Sequence, residues 1–317
     1  MYDTSTPEDF NYFCKVNKMP RSLLLLLICS GFLANAQEQP KFQIHGHRGF
    51  RGLFPENTLT AFLEAVKAGV DYIELDVIIS KDSQVVVSHE PWFNSATCSK
   101  PNGKFVKRRQ QENLHHLDYC DIKKYDCGKR GNKKFPLQIK LPEYKPLLSE
   151  VIETIENYVK ENNLPPIKYN IEIKNSKIGD RKYHPAANMV AGLVNNVIQK
   201  YKISDRVLIQ SFDTRCLQEI HKLDSIFKIG LLVANLRSVA HNIQQLGFRP
   251  YAYNPSLKLC KARTIRQAHD HGCKVIVWTV NSVKDMKRLI YFGADGFITD
   301  YPDFAIKLRN AASSGNQ

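Results

Sequence analysis

The chain has 317 residues, 43% of them apolar, and its 45 Lys and Arg against 31 Asp and Glu give a formal net charge of +14. That apolar content is ordinary for a globular protein, and the length suits one large domain; no stretch holds the roughly 18 apolar residues of a membrane span. The positive balance points to anionic partners, whether nucleic acid, a lipid surface or a phosphorylated substrate.

In chain order, the first feature is the apolar run Ser22–Leu33, preceded by Lys15, Lys18 and Arg21 and followed by Ala34-Asn35-Ala36. A basic segment, a short apolar core and a small-x-small site read as a secretory signal. Cleavage is expected after Ala36 and translation from Met19. Ile28 in front of Cys29 argues against lipoprotein acylation at that cysteine. Residues 1–36 are therefore read as an extension and signal peptide, and 37–317 as the domain of an exported protein, periplasmic or secreted. The removed segment holds three bases and three acids, so the net charge is unchanged. Of the six cysteines that remain, Cys260 and Cys273 would flank one helix and stand roughly 20 Å apart, too far to bridge. Pairing of Cys120 with Cys127 or with Cys98 is open, and the sequence does not fix the disulfide pattern.

From residue 43 short β-like runs alternate with helical stretches. The runs are Gln43–His47, Tyr72–Ile78, Tyr169–Ile173, Val207–Gln210, Lys228–Leu232, Pro250–Tyr253, Lys274–Thr279 and Gly296–Thr299. Between most of them lie amphipathic helices, at Asn57–Ala68, Leu147–Lys160, Pro185–Tyr201, Asp213–Leu223, Ala262–His271, Ser282–Phe292 and Pro302–Asn310. This alternation over about 270 residues predicts an α/β fold, a TIM (β/α)8 barrel. An open doubly wound sheet is the alternative, but no Gly-rich turn follows the first strand.

Two features interrupt the pattern. Val85–His89 reads as a hairpin strand, and a two-residue turn at Asp82-Ser83 pairs 81 with 84 and hence 76 with 89. An insertion after the second strand, about 92–142, has little periodicity and holds twelve Lys or Arg against four acids. A long loop on the C-terminal face of a barrel is a substrate-selecting position.

The chemistry gathers at strand ends. Glu74-x-Asp76 places two carboxylates on one face of the second strand, about 7 Å apart, and Glu172-x-Lys174 repeats the arrangement on the third. Three carboxylates with no thiolate cluster suit a hard divalent cation, Ca²⁺ or Mg²⁺. A single carboxylate is equally well a solvated charge, but inward-facing ones need a cationic partner. His47 and His89 would flank that cation, one accepting a proton and the other delivering one. Arg48 and Lys174 supply cationic donors for a phosphate. His45, two residues before His47, reads as a core or supporting residue.

These residues carry a specific resemblance. His47-Arg48-Gly49, Pro55-Glu56-Asn57-Thr58, Glu74-Leu75-Asp76-Val77, His89, Glu172-Ile173-Lys174, Gln210-Ser211-Phe212-Asp213, Trp278-Thr279-Val280-Asn281 and Gly293–Asp300 resemble the signature of the glycerophosphodiester phosphodiesterase family, over residues 43–305. The resemblance implies a TIM barrel with an insertion after the second strand, metal binding by Glu74, Asp76 and Glu172, and acid–base catalysis by His47 and His89. It also implies phosphate binding by Arg48 and Lys174, and site-shaping by Glu56 and Asn57, Asn57 being also a plausible helix cap. Trp278 would contact the glycerol or alcohol moiety or serve as a barrel-core aromatic. The sequence departs from the family at Glu90, where Asp is usual, and at Ser83, where Gly is usual.

The implied reaction is metal-dependent hydrolysis of a small-molecule glycerophosphodiester to sn-glycerol 3-phosphate and an alcohol. Rival readings are a phospholipase D-like or lyase activity on intact phospholipid and a non-catalytic anion-binding protein. Phe105, Tyr119, Tyr125 and Phe135 are too sparse among the insertion's cations to predict nucleic-acid binding.

Overall fold

The computed structural model describes residues 42–108 and 112–314. The anticipated signal segment lies outside the described residues, as do 109–111.

Nine strands form one sheet: β1 (Gln43–Gly46), β2 (Tyr72–Ile79), β3 (Val85–Val87), β4 (Lys168–Ile173), β5 (Val207–Ser211), β6 (Lys228–Val233), β7 (Ala252–Pro255), β8 (Lys274–Val277) and β9 (Gly296–Thr299). Neighbours run in the order β1-β9-β8-β7-β6-β5-β4-β2, all parallel, and β1 also pairs with β2. That last pairing closes an eight-stranded parallel barrel. β3 is an antiparallel hairpin partner of β2 outside it.

Alternation along each strand divides the core. Ile73, Leu75, Val77 and Ile79 of β2 pack outward against the helices in the main core. The inward positions are different in kind. Tyr72, Leu208, Ala252, Ile276 and Ile298 form a separate apolar plug, with buried His45 at the level of Tyr72 and Ile298, while Glu74, Asn170, Gln210 and Asn254 are buried polar residues nearer the C-terminal rim. Apolar burial of about 1.5–3 kcal/mol per large side chain holds the walls, and the polar layer is where chemistry can be placed.

Among the described residues the α-helices are α1 (Leu59–Ala68), α2 (Tyr119–Ile122), α3 (Leu148–Glu161), α4 (Ala187–Tyr201), α5 (Thr214–Leu223), α6 (Val239–Leu246), α7 (Ala262–Asp270), α8 (Val283–Tyr291) and α9 (Pro302–Ser314). Asn57 is not a cap. Thr58 caps α1, its Oγ1 accepting from Ala61 N at 3.2 Å. Helix α6 has no counterpart among the predicted ones; its two turns are too few for a strong period, although Ser238 and Gly247 mark its ends. The strand expected at Pro250–Tyr253 is displaced by two residues to Ala252–Pro255.

The hairpin register differs by one residue from the predicted one. Val77 pairs with Val87 and Ile79 with Val85, and Ser80 N donates to Gln84 O at 3.0 Å. The loop thus holds three residues, Lys81-Asp82-Ser83, with Ser83 left-handed at φ 61°. Ser88, not His89, comes opposite Asp76, and Ser88 N donates to Asp76 O at 2.9 Å. His89 lies beyond the strand.

The insertion packs around its own apolar cluster. Phe93, Cys98, Val106, Leu114, Ile122 and Tyr125 bury together against Ile78 and Val86 of the hairpin. The disulfide, which the sequence left open, is Cys98–Cys127, and Cys120 is exposed and free. The helix containing Cys120 turns it away from this cluster, whereas Cys98 and Cys127 sit within or against it. Gln138 fixes the insertion to the loop after β1, donating through Nε2 to Arg51 O at 2.9 Å and Phe54 O at 2.8 Å.

Candidate active site

Parallel pairing brings the carboxylates together. Asp76 of β2 stands beside Glu172 of β4, and Glu172 stands beside Gln210 of β5. Glu74 and Asp76 share the inward face of β2, and ligand atoms of Glu74, Asp76 and Glu172 all lie within 4.8 Å of one another. All three are buried. Burial, then repulsion from Asp76 and Glu172, raises the Glu74 pKa well above the usual carboxylate range. Burial also raises that of Glu172, with Lys174 opposing. Asp76 is lowered: burial works against ionisation, but Arg48, His89 and Lys174 outweigh it. Asp76 Oδ1 is buried with no hydrogen-bond partner. Crowded oxygen donors and an orphaned carboxylate oxygen fit a hard divalent cation.

A ring of polar contacts orients these acids. Glu74 accepts from Arg48 N at 2.9 Å and from Gln210 Nε2 at 3.2 Å, and Gln210 Oε1 in turn accepts from Asn254 Nδ2 at 2.8 Å. Asn57 Nδ2 donates to Asp76 Oδ2 at 2.9 Å. The turn that presents these donors is strained, with Arg48 at φ 52° and Asn57 at φ 58°. Each such non-glycine residue costs on the order of 1 kcal/mol or more. Gly49 between them has φ 81°, and a Cβ there would meet Ala61 backbone at 2.5 Å.

Two cations border the acids. Arg48 donates to Glu56 at 2.7 Å and stands 3.2 Å from Asp76 Oδ2, close enough for an ion pair but too poorly angled for a hydrogen bond. Arg51 Nε pairs with the other Glu56 oxygen at 2.7 Å. Burial opposes ionisation of Glu56, but Arg48 and Arg51 pull its pKa down to about 2. Lys174 Nζ lies 2.5 Å from Glu172 and 3.7 Å from Asp76.

The histidines are held differently. His47 Nδ1 meets Asp300 Oδ1 at 2.6 Å, and Asp300 also accepts from Asn281 Nδ2 at 2.7 Å. Burial lowers the His47 pKa, partly offset by Asp300. The Asp300 pKa falls to about 2; burial opposes this, while the His47 hydrogen bond leads the lowering. An ionised Asp300 makes His47 Nδ1 the donor. His89 Nδ1 contacts its neighbour Glu90 at 3.1 Å, so Glu90 supplies the carboxylate there despite the departure from Asp. His89 is one-third exposed, and Glu56, Glu90 and Lys145 line a small cavity with it. His45 is stacked on Tyr72 and bonded to Asn170 inside the barrel.

Trp278 follows β8, donates through Nε1 to Asn254 O at 2.8 Å and meets Phe212 edge-on at 5.4 Å. Phe212 is itself 6.0 Å from Lys174 Nζ, so the indole is both anchored in the barrel and close to the site. Sequence reasoning assigned no role to Asp300, Arg51, Gln210 or Lys145. Asp300 had a signal, since it directly follows the last strand of the barrel; Lys145 had none.

Residues 47–304 match the model of the glycerophosphoryl diester phosphodiesterase family. The chain belongs to this family. A glycerophosphodiester phosphodiesterase of Caldanaerobacter subterraneus is 32% identical over 273 residues, covering 84% of this chain and 98% of that relative. Among solved structures, one from Silicibacter pomeroyi superposes with a TM-score of 0.76 at 25% identity, covering 86% of this chain and 94% of the other. An Oleispira antarctica phosphodiesterase, solved with its product sn-glycerol-3-phosphate, shares the fold with a TM-score of 0.67 at 21% identity, covering 86% and 96%. Family membership joins the barrel architecture to the acid cluster at its rim.

Proposed function

We propose that this protein hydrolyses glycerophosphodiesters to sn-glycerol 3-phosphate and an alcohol, using one divalent cation, Ca²⁺ or Mg²⁺. The observation that carries the reading is the gathering of Glu74, Asp76 and Glu172 with Arg48, Lys174 and His89, Arg48 being in turn a neighbour of His47, in a member of this family. Glu74, Asp76 and Glu172 would hold the cation, which supplies charge neutralisation and Lewis acidity toward the phosphodiester.

The chain's own residues do the rest. Arg48 and Lys174 hold the phosphate oxygens and stabilise the charge that builds in the transition state. His47 is the general base: Asp300 fixes Nδ1 as a donor, so Nε2 accepts the proton that the attacking hydroxyl, of water or of the glycerol 2-position, gives up as it bonds to phosphorus, and burial favours the neutral ring. His89 is the general acid that protonates the departing alkoxide, with Glu90 setting its ring. Glu56 and Asn57 shape the site by restraining Arg48 and Asp76. Trp278 borders the glycerol or alcohol moiety.

We further propose export after cleavage at Ala36, to the periplasm or the medium, a reading that the Cys98–Cys127 disulfide favours. The deciding assay follows turnover of glycerophosphocholine after chelation and after readdition of Ca²⁺ or Mg²⁺, with sphingomyelin as comparison. Activity lost on chelation and restored by one ion supports the reading. Undiminished activity in excess chelator removes the metal from it. Turnover of sphingomyelin alone replaces the hydrolase with the phospholipid-directed rival.

A further inference from the structure

Parallel strands gather every strand-to-helix segment at one rim, so the segments that surround the site's opening can be compared with those at the opposite end. The strand-to-helix segments 47–58, 88–147, 174–186, 212–213, 234–238, 256–261, 278–282 and 300–301, leaving aside 109–111, hold twenty-one Lys or Arg and ten Asp or Glu. The helix-to-strand segments 69–71, 162–167, 202–206, 224–227, 247–251, 271–273 and 292–295 hold three and four. The charge excess of the barrel's ends thus lies on the side of the opening, and the proposed phosphate ligands use only a small part of it.

That side also exposes large apolar side chains in a repeated pattern. Phe105 is 63% exposed next to Lys104, Ile139 47% next to Lys140, Ile178 93% next to Lys177, and Leu236 90% next to Arg237. The opposite end exposes Leu164, Leu223, Ile226 and Tyr291 too, but of these only Leu223 adjoins a base, Lys222, which is paired with Glu219 at 2.8 Å. The insertion and segment 174–186 are connected: Trp92 of the insertion packs edge-on against Tyr183 at 5.6 Å, and Asn113 Nδ2 donates to Lys182 O at 2.5 Å. Ile178 lies in that second segment.

We propose that this rim is a docking surface for an anionic lipid bilayer. Cations attract the surface from a distance and the adjoining apolar side chains enter the headgroup region, two contributions that together give reversible membrane association. A nucleic acid or acidic protein would use the same cations but gains nothing from an isolated isoleucine or leucine at a loop tip. The inference does not depend on the proposed catalysis, because binding is read without turnover.

The test uses residues 37–317, which omit the apolar run 22–33 and contain the compact unit Pro40–Gln317. Sedimentation with vesicles of phosphatidylcholine and phosphatidylglycerol is compared with sedimentation on phosphatidylcholine alone, and the binding of a single-stranded oligonucleotide is measured in parallel. The anionic vesicles are expected to bind about tenfold more tightly. The double variant Ile178→Asp, Leu236→Asp is expected to lose about tenfold of that binding while keeping its turnover of soluble glycerophosphocholine. Lys177→Ser with Arg237→Ser is expected to weaken it in the same direction. Equal binding to both vesicles overturns the proposal. So does a double aspartate variant that loses oligonucleotide and vesicle binding in equal proportion, since that outcome reports charge alone.

Discussion

The two histidine-bearing sides of the site are constructed by different means. His47 is held by the barrel itself: the turn after β1 carries it, and Asp300, 253 residues later, fixes its ring at 2.6 Å from the adjoining end of β9. Its side chain is only 13% exposed. His89 follows the hairpin that precedes the insertion, and its ring is set by the next residue, Glu90, at 3.1 Å. Lys145, beyond the insertion, donates to Ser88 Oγ at 2.8 Å and is the nearest link to the far end of that loop. One imidazole depends on strand closure and the other on how a disulfide-linked insertion is seated. Pairing across a closed sheet is cooperative, whereas a loop can be altered or loosened without opening the barrel.

The largest test removes each imidazole. His47→Ala and His89→Ala are each expected to lower kcat by about a thousandfold, measured on glycerophosphocholine, with the fold retained. A His89→Ala enzyme within a few-fold of wild type would restrict catalysis to the barrel side. Next comes the support of His47. Asp300→Asn should cost roughly a hundredfold in kcat. It should also move the His47 titration further below the imidazole reference of 6.5 in metal-free protein, because Asp300 raises that pKa against burial. Imidazole NMR reads this directly, and an upward shift would contradict the assigned contact.

Smaller effects are expected on the other side. Reduction of Cys98–Cys127, or its replacement by serines, should remove about 3 kcal/mol from closure of the 29-residue loop. Limited proteolysis should then cut within the insertion while the barrel resists, and KM should rise more than kcat falls. Protease resistance equal to that of the oxidised protein would mean that apolar packing alone seats the insertion. Glu90→Gln should have the mildest effect, roughly severalfold in kcat, since it keeps a polar partner for His89. A loss as large as that of Asp300→Asn would make the two sides equivalent.

Much of this molecule was legible before any coordinates. The eight barrel strands follow from apolar runs spaced by helical periods, and the three carboxylates follow from period-two placement at strand ends. The errors are local. A turn read as two residues proved to be three, because Ser83 adopts the left-handed conformation, and one residue of register moved Ser88 into the place assigned to His89. Helix α6 was too short to announce itself by periodicity. The disulfide stayed open because spacing does not say which cysteine faces the insertion's apolar cluster.

The sequence by itself determined the alternation of elements and the chemical identity of the acids, imidazoles and cations, since residue type and periodicity are properties of the chain. Only the tertiary structure decided which of them meet. Barrel closure brings Asp300 to His47, and strand register brings Glu172 to Asp76 and Gln210 toward Glu74. Those partners are far apart in the chain, so their distances are set by how the strands pair across the sheet.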